Sequence, residues 1–237
     1  MVTALILVDY ANLLQPQRDA GVLDLVTKVL SGIPWEPETT RGRCEVRIYG
    51  GWYEEDQITR QAQDLTVELQ ENFPSVVRVP AAAGIVTFSV VADLAVSLLQ
   101  DPATHLFRTY RRKEKATNVR VETPITVGCA DSSCILPMMK HMLKRGSCPK
   151  DGCSVQRTDL LYRHEQKVVD TMLACDMIHA TDRDFTKLIL VSDDDDFIPP
   201  LRTILLKGKA AVRCNPKPNR QRGLLSVGSA HVVEITV

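Results

Sequence analysis

The sequence predicts an α/β fold, a doubly wound and mainly parallel sheet, and three observations predict it. Two short aliphatic runs, Ala4-Leu5-Ile6-Leu7-Val8 and Leu188-Ile189-Leu190-Val191, have the continuous apolar character of strands buried on both faces. Each run ends in acid, Asp9 after the first and Asp193-Asp194-Asp195-Asp196 after the second. Between and around them strand-like and helix-like stretches alternate, the signature of a sheet wound on both sides. Strands are expected near 4–8, 45–50, 76–80, 188–192, 210–214 and 231–236. Helices are expected near 18–30, 54–71, 88–100, 165–179 and 200–207, the last with Pro200 in its first turn and Gly208 just past its end.

Acids at the carboxyl ends of parallel strands stand at the edge where ligands bind in open α/β sheets. Four adjacent carboxylates repel one another, so the fold must expose them or hold them near a cation, and a divalent metal is the natural candidate. Asp9, with Asn12 three residues on, would bring a second oxygen ligand from a distant part of the chain. A helix expected from Glu165 to Ile178 carries an apolar stripe at Val168, Val169, Met172 and Leu173. On it Asp170 and Asp176 stand about 120° apart at ~100° per residue, so one ion does not take both. Asp170 is assigned to the site, and Asp176 reads as an orienting or salt-bridging group.

These motifs, Asp9-Tyr10-Ala11-Asn12, Glu165-Gln166-Lys167-Val168-Val169-Asp170 with Asp176 downstream, and Ser192-Asp193-Asp194-Asp195-Asp196-Phe197 followed by Lys207-Gly208-Lys209, resemble the NYN branch of the PIN-like nucleases. In that family the last motif looks like Ser-x-Asp-x-Asp-Phe, which selects Asp194 and Asp196 and leaves Asp193 and Asp195 in variable positions. The resemblance implies a ribonuclease dependent on Mg²⁺ or Mn²⁺, with a nuclease domain over 1–107 and 159–237. Residues 108–158 form an insertion that the simple family core lacks. Asp9, Asp170, Asp194 and Asp196 would hold the metal, Asn12 and Ser192 would position a water or phosphate oxygen, and Lys167 would offset developing negative charge. RNA is the expected partner and endonucleolytic cleavage the expected activity. A homo-oligomer or protein partner is left open.

The insertion contains Cys129-x4-Cys134-x13-Cys148-x4-Cys153, two thiolate pairs able to close a tetrahedral Zn²⁺ site. Between them Leu136, Met139, Met142 and Leu143 form a short amphipathic helix stopped by Gly146. So small a module cannot build a core unaided, and a metal staple would explain its folding. Ordinary reduced cysteines or a redox pair are the competing reading of the four. Cys44, Cys175 and Cys214 fall on apolar segments and read as core residues. From Arg108 to Arg120 there are six basic residues and one acid, with Tyr110 among them. Arg108, Arg111, Arg112, Lys113 and Lys115 are therefore candidates for contact with a phosphate backbone. Arg213, Lys217, Arg220 and Arg222 form a second basic cluster.

Composition sets bounds on these readings. The 237 residues are 44% hydrophobic and 24% charged with zero formal net charge, as in a globular protein of one large domain or one domain with an insert. No secretory signal is recognised at Met1-Val2-Thr3, and no apolar run reaches the length of a membrane span, so a cytoplasmic protein without membrane association is expected. Seven cysteines in such a chain favour metal binding over disulfides. A phosphatase of the haloacid-dehalogenase type needs a second Asp where Ala11 stands, and no G-x-G-x-x-G follows the first strand as a dinucleotide enzyme requires. A non-catalytic RNA-binding or interaction protein on the same fold remains the rival reading.

Overall fold

The computed structural model describes residues 1–54, 56–82, 84–99, 109–115, 133, 135–217 and 225–237, with backbone alone for 111–115 and 162–167. Two compact units divide the chain, Met1–Tyr110 with Gln166–Val237, and Arg111–Glu165.

The first unit is built on β1 (Val2–Asp9), β2 (Arg41–Tyr49), β5 (Ser75–Ala81), β6 (Gly84–Leu94), β9 (Lys187–Val191), β10 (Ala210–Asn215) and β13 (Val233–Thr236). They form one seven-stranded sheet in the order β13-β10-β9-β1-β2-β6-β5, parallel throughout except for the β5–β6 hairpin. A small hairpin of β3 (Tyr53–Glu54) and β4 (Gln57–Ile58) follows β2. The central strand β1 is buried along Ala4–Asp9, as its aliphatic run demands.

The alternation along β1 splits the core. Ala4, Ile6 and Val8 face α2 (Val22–Gly32) and α3 (Arg60–Asn72), whose Val26, Val29, Leu30, Leu65 and Leu69 close that side. Leu5 and Leu7 face α6 (Val169–His179) and α7 (Ile198–Leu206) through Met172, Leu173, Met177, Leu201 and Ile204. Each side chain of β1 is therefore removed from water by a different helical layer, which is why no polar alternation marks the strand. A short helix, α1 (Gln15–Ala20), precedes α2, and Gly21 joins the two at φ 87°, a conformation glycine takes at no steric cost.

Several expected elements are corrected. The segment expected as helix 88–100 is largely β6: Val86, Phe88 and Val90 are buried while Ile85, Ser89 and Val91 are exposed, a period of two. Its register against β2, Gly42 beside Phe88 and Cys44 beside Val90, anchors that strand rather than a helix. The expected helix 54–71 is split into the β3–β4 hairpin and α3, whose start is set by Thr59, its hydroxyl accepting from the Ala62 N–H at 3.3 Å. The expected helix 165–179 begins at Val169, because Tyr162–Lys167 is strand β8 and Lys167 is its last residue. Periodicity alone let the polar residues of β8 pass for a first helical turn. Cys44 and Cys214 are buried as expected, whereas Cys175 is exposed on the outer face of α6.

The second unit holds most of β7 (Tyr110–Lys115) and β8 side by side, with α4 (Leu136–Arg145) and α5 (Arg157–Leu160) between them in sequence. The helix α4 ends at Gly146 with φ 85°, as its sequence predicts, and buries none of its residues. A bridge between Ser147 and Gln156 then folds the chain back on itself. Among the described residues no helix is long and apolar enough to cross a membrane.

Candidate active site at the carboxyl edge of the sheet

Strand order places the candidate acids before any side chain is considered. From β1 the chain crosses to β2 on one side of the sheet, while β9, β10 and β13 continue on the other, so the direction of winding reverses between β1 and β9. A crevice opens outside the strand ends at such a reversal. The register sets Val8 beside Val191, so Asp9 and Ser192 leave the sheet as neighbours.

Asp9 is almost fully buried and accepts hydrogen bonds at Oδ2 from the Asn12 amide and from Ser192 Oγ, the latter at 3.1 Å. The 3₁₀ turn Tyr10–Asn12 returns Asn12 to this carboxylate. Burial pushes the Asp9 carboxyl above the usual carboxylate range; the bonds from Asn12 and Ser192 oppose that shift and the charge of Asp194 adds to it. Ser192 in turn accepts the Asp194 N–H at 3.1 Å, and Asp194 Oδ1 accepts the Asp196 N–H at 3.0 Å. A polar chain thus runs from Asp9 through Ser192 to the 194–196 turn.

Asp170 enters from the first turn of α6. The residue before that helix, Val168, lies at φ 68°, and it is the one described non-glycine residue in the left-handed region. Such backbone is strained for a β-branched side chain, by roughly 1–2 kcal/mol. It turns the end of β8 abruptly into α6 and so sets where Asp170 stands. Partial desolvation, then the charges of Asp9, Asp194 and Asp196, raise the Asp170 carboxyl above its ordinary range. Four acids from three separate elements therefore lie within one another's field.

The four acids of the 193–196 run are sorted by their partners. Lys217 Nζ lies 3.1 Å from both Asp193 carboxylate oxygens, and Arg213 stands 3.7 Å from Asp195 Oδ1. No ion pair among the described residues reaches Asp9, Asp170, Asp194 or Asp196. Charge compensation thus goes to Asp193 and Asp195 and leaves Asp194 and Asp196 in the field of Asp170.

Arg213 does more than pair. It is buried on β10 beside Leu190, donating from Nε to the Ser192 carbonyl at 3.1 Å and from its terminal nitrogen to the Asp194 carbonyl at 2.6 Å. It straps the acidic loop to the sheet, a role not read from the sequence, where it stands in a basic cluster with Lys217, Arg220 and Arg222. A lone arginine inside the apolar stretch Ala211-Val212-Arg213-Cys214 was the available signal, since buried charges are retained where they are paired. Arg213 and Lys217 are accordingly committed to this loop, and Arg220 and Arg222 lie outside the described residues.

Behind the site a second polar network was also missed. Asp176, fully buried on α6, accepts the Tyr49 hydroxyl at 2.6 Å and the Leu99 N–H at 2.8 Å, with Arg47 at 3.6 Å. Arg47 also donates to the Ser97 carbonyl at 2.6 Å and to Asp93 at 3.4 Å. Asp176 is thus the salt-bridging group expected, joining the end of β2 to the helix that carries Asp170. Burial, opposed by Arg47, leaves the Asp93 carboxyl pushed up to about 6. Tyr49 stands beside Asp9 in the register, so this network underlies the acidic edge.

The donor set at the edge, carboxylates with an amide and a hydroxyl, has the all-oxygen chemistry that hard divalent cations take. Among the described residues no three His, Cys, Asp or Glu side chains converge closely enough to hold a metal ion as they stand. The carboxylates share a field, and not yet a coordination sphere. Cys148 and Cys153 flank a turn in which the Cys148 N–H meets the Val155 carbonyl and the Cys153 N–H the Lys150 carbonyl, both at 3.1 Å. Both thiols are partly exposed and unpaired. Cys129, Cys134 and Arg108 lie outside the described residues, as do the side chains of Lys167, Arg111, Arg112, Lys113 and Lys115.

In comparisons with known proteins, no protein-family model, no curated protein and no solved structure matches the chain.

Proposed function

We propose that the protein is a metal-dependent nuclease of the NYN type that hydrolyses RNA phosphodiester bonds at the edge formed by Asp9, Asp170, Asp194 and Asp196. The observation that carries the reading is the sorting of charge. Acids of distant sequence origin meet at the sheet's winding reversal, and the cations within reach neutralise Asp193 and Asp195 instead. An uncompensated acidic cluster costs stability, and a site for a hard cation gives that cost a use.

Bound Mg²⁺ or Mn²⁺ would supply Lewis acidity toward the phosphate and lower the pKa of an attacking water. Asp9, Asp170, Asp194 and Asp196 would hold it. The chain's own part is positional. Asn12 and Ser192 fix the orientation of the Asp9 carboxylate by donating to its Oδ2. Arg213 fixes the Ser192 and Asp194 carbonyls, so the loop bearing Asp194 and Asp196 is rigid where it meets substrate. Lys167, at the end of β8, is assigned to the developing charge on the phosphate. Arg108, Arg111, Arg112, Lys113 and Lys115 are assigned to the RNA backbone, and their release of counterions makes affinity fall with salt.

The test is incubation of the purified chain with labelled single-stranded RNA and Mn²⁺. Cleavage that chelator abolishes is the expected result. Binding without cleavage in Mn²⁺ and in Mg²⁺ would assign the fold to the non-catalytic RNA-binding reading.

Cys129, Cys134, Cys148 and Cys153 would hold a structural Zn²⁺. Support comes from the Cys148–Cys153 turn, which presents two unpaired thiols, and from α4, which buries none of its residues and so has little packing to order it. Elemental analysis of freshly purified protein is expected to give about one zinc per chain. Cys148→Ser is expected to lose most of it, and unchanged content in that variant would reject the site.

A further inference from the structure

We infer that Arg18 is a substrate-binding residue, holding a phosphate of the RNA strand beside the turn that follows Asp9. The inference rests on the nuclease reading above and adds a second, positively charged wall to that site.

Tyr10 follows Asp9 directly, and its ring is braced by the buried Trp52 at a centroid distance of 5.9 Å. The Arg18 guanidinium lies 5.2 Å from the Tyr10 ring centroid and donates to the Ala11 carbonyl at 2.8 Å. The group is thus fixed in orientation by a ring and by the same 3₁₀ turn that returns Asn12 to Asp9. Its Nε is buried and has no hydrogen-bond partner among the described residues. No carboxylate among the described residues forms an ion pair with Arg18. The acids nearest in sequence and space are engaged elsewhere: Asp19 accepts from Gln15 at 2.7 Å, and Glu68 accepts the Val22 N–H at 2.6 Å.

The placement matches what a phosphodiester needs. Two peptide units separate Asp9 from Ala11, at most about 7.6 Å between Cα atoms. A strand whose scissile phosphate lies at the acids therefore brings a neighbouring phosphate within reach of Arg18. Arg213 and Lys217, the other described cations at this edge, are spent on Asp195 and Asp193. A planar guanidinium held beside a ring offers a fork of donors matched to phosphate oxygens.

The test compares Arg18→Gln and Arg18→Lys. Gln keeps a donor for the Ala11 carbonyl and removes the charge, while Lys keeps the charge and loses the fork. Binding of labelled single-stranded RNA is followed by fluorescence anisotropy across a salt series in an Asp194→Asn background, and cleavage in Mn²⁺ is measured in the otherwise unchanged chain. Arg18→Gln is expected to raise Kd about tenfold and to reduce the slope of log K against log salt by ~0.7, one phosphate contact on a single strand. In the cleavage assay it is expected to raise KM more than it lowers kcat. Arg18→Lys is expected to keep the parent slope. If the parent cleaves RNA and Arg18→Gln retains the parent slope and KM, Arg18 is a strap on the Ala11 carbonyl and the inference is overturned. If the parent neither binds nor cleaves RNA, the nuclease reading falls and takes this inference with it.

Discussion

Asp194→Asn is expected to reduce RNA cleavage by about three orders of magnitude or more while leaving the fold intact. The metal contribution to such a reaction is several kcal/mol, and each 1.36 kcal/mol is tenfold in rate. Asparagine keeps the shape and an oxygen for the Asp196 N–H, so the 194–196 turn retains its internal bond. It removes one of the charges that raise Asp9 and Asp170. Stability should therefore rise as activity disappears. Asp9 and Asp170 both have folded-state pKa values above the ordinary value of 3.8, so folding favours their protonated forms. Their contribution to stability is fully present below the unfolded pKa and is lost as pH rises through the folded pKa. The gain in thermal midpoint of Asp194→Asn over the parent should accordingly be largest near neutral pH and fade below about pH 4. Calorimetry across pH together with the cleavage assay checks both halves. Parent-like activity would remove Asp194 from the site, and a lower midpoint at pH 7 would show that its charge is compensated.

Asp176→Ala has the opposite profile, a large loss of stability from a residue that need not touch substrate. Removing this carboxylate leaves Arg47 buried without its deepest partner, and strips the Tyr49 hydroxyl and the Leu99 N–H of their acceptor. Breaking one side of a buried pair costs about 3–5 kcal/mol. That is a large fraction of the 5–15 kcal/mol by which domains are stable. Urea denaturation should show a midpoint well below the parent's, with an m-value that reports whether the transition remains two-state. A change under about 1 kcal/mol would mean that Arg47 is satisfied by Ser97 and Asp93 alone. Asp176→Asn, which keeps one acceptor oxygen, is expected to fall between the two.

The two substitutions concern carboxylates of two different elements, α6 and the turn after β9, and their contrast marks how far the primary sequence reaches. The α/β class, the burial of β1 and β9 and the acids at their ends follow from local patterning, because a continuous aliphatic run has few ways to leave water. The caps of α4 and α7 are equally local, being set by Gly146, Gly208 and the prolines after Ile198. Asp9, Asp170, Asp194 and Asp196 are singled out by their motifs and by the family resemblance, and the fold brings Asp170 into the field of the other three.

What the tertiary structure decided is everything that depends on which strand lies beside which. The identity of β6 rests on its register against β2, since Val90-Val91-Ala92 fits a helix or a strand until a neighbour supplies hydrogen bonds. The start of α6 depends on β8 and on the strained backbone at Val168, neither of which has a periodicity to read. Arg213 and Lys217 read in sequence as part of a basic cluster and prove to be partners of Asp195 and Asp193, because β10 lies next to β9. Asp176 lies more than a hundred residues from Arg47 and Tyr49 and meets them only when α6 packs across β2. Local pattern states which groups must leave water; the sheet order decides which charges they find there, and long-range charge pairing has no signature in residue spacing.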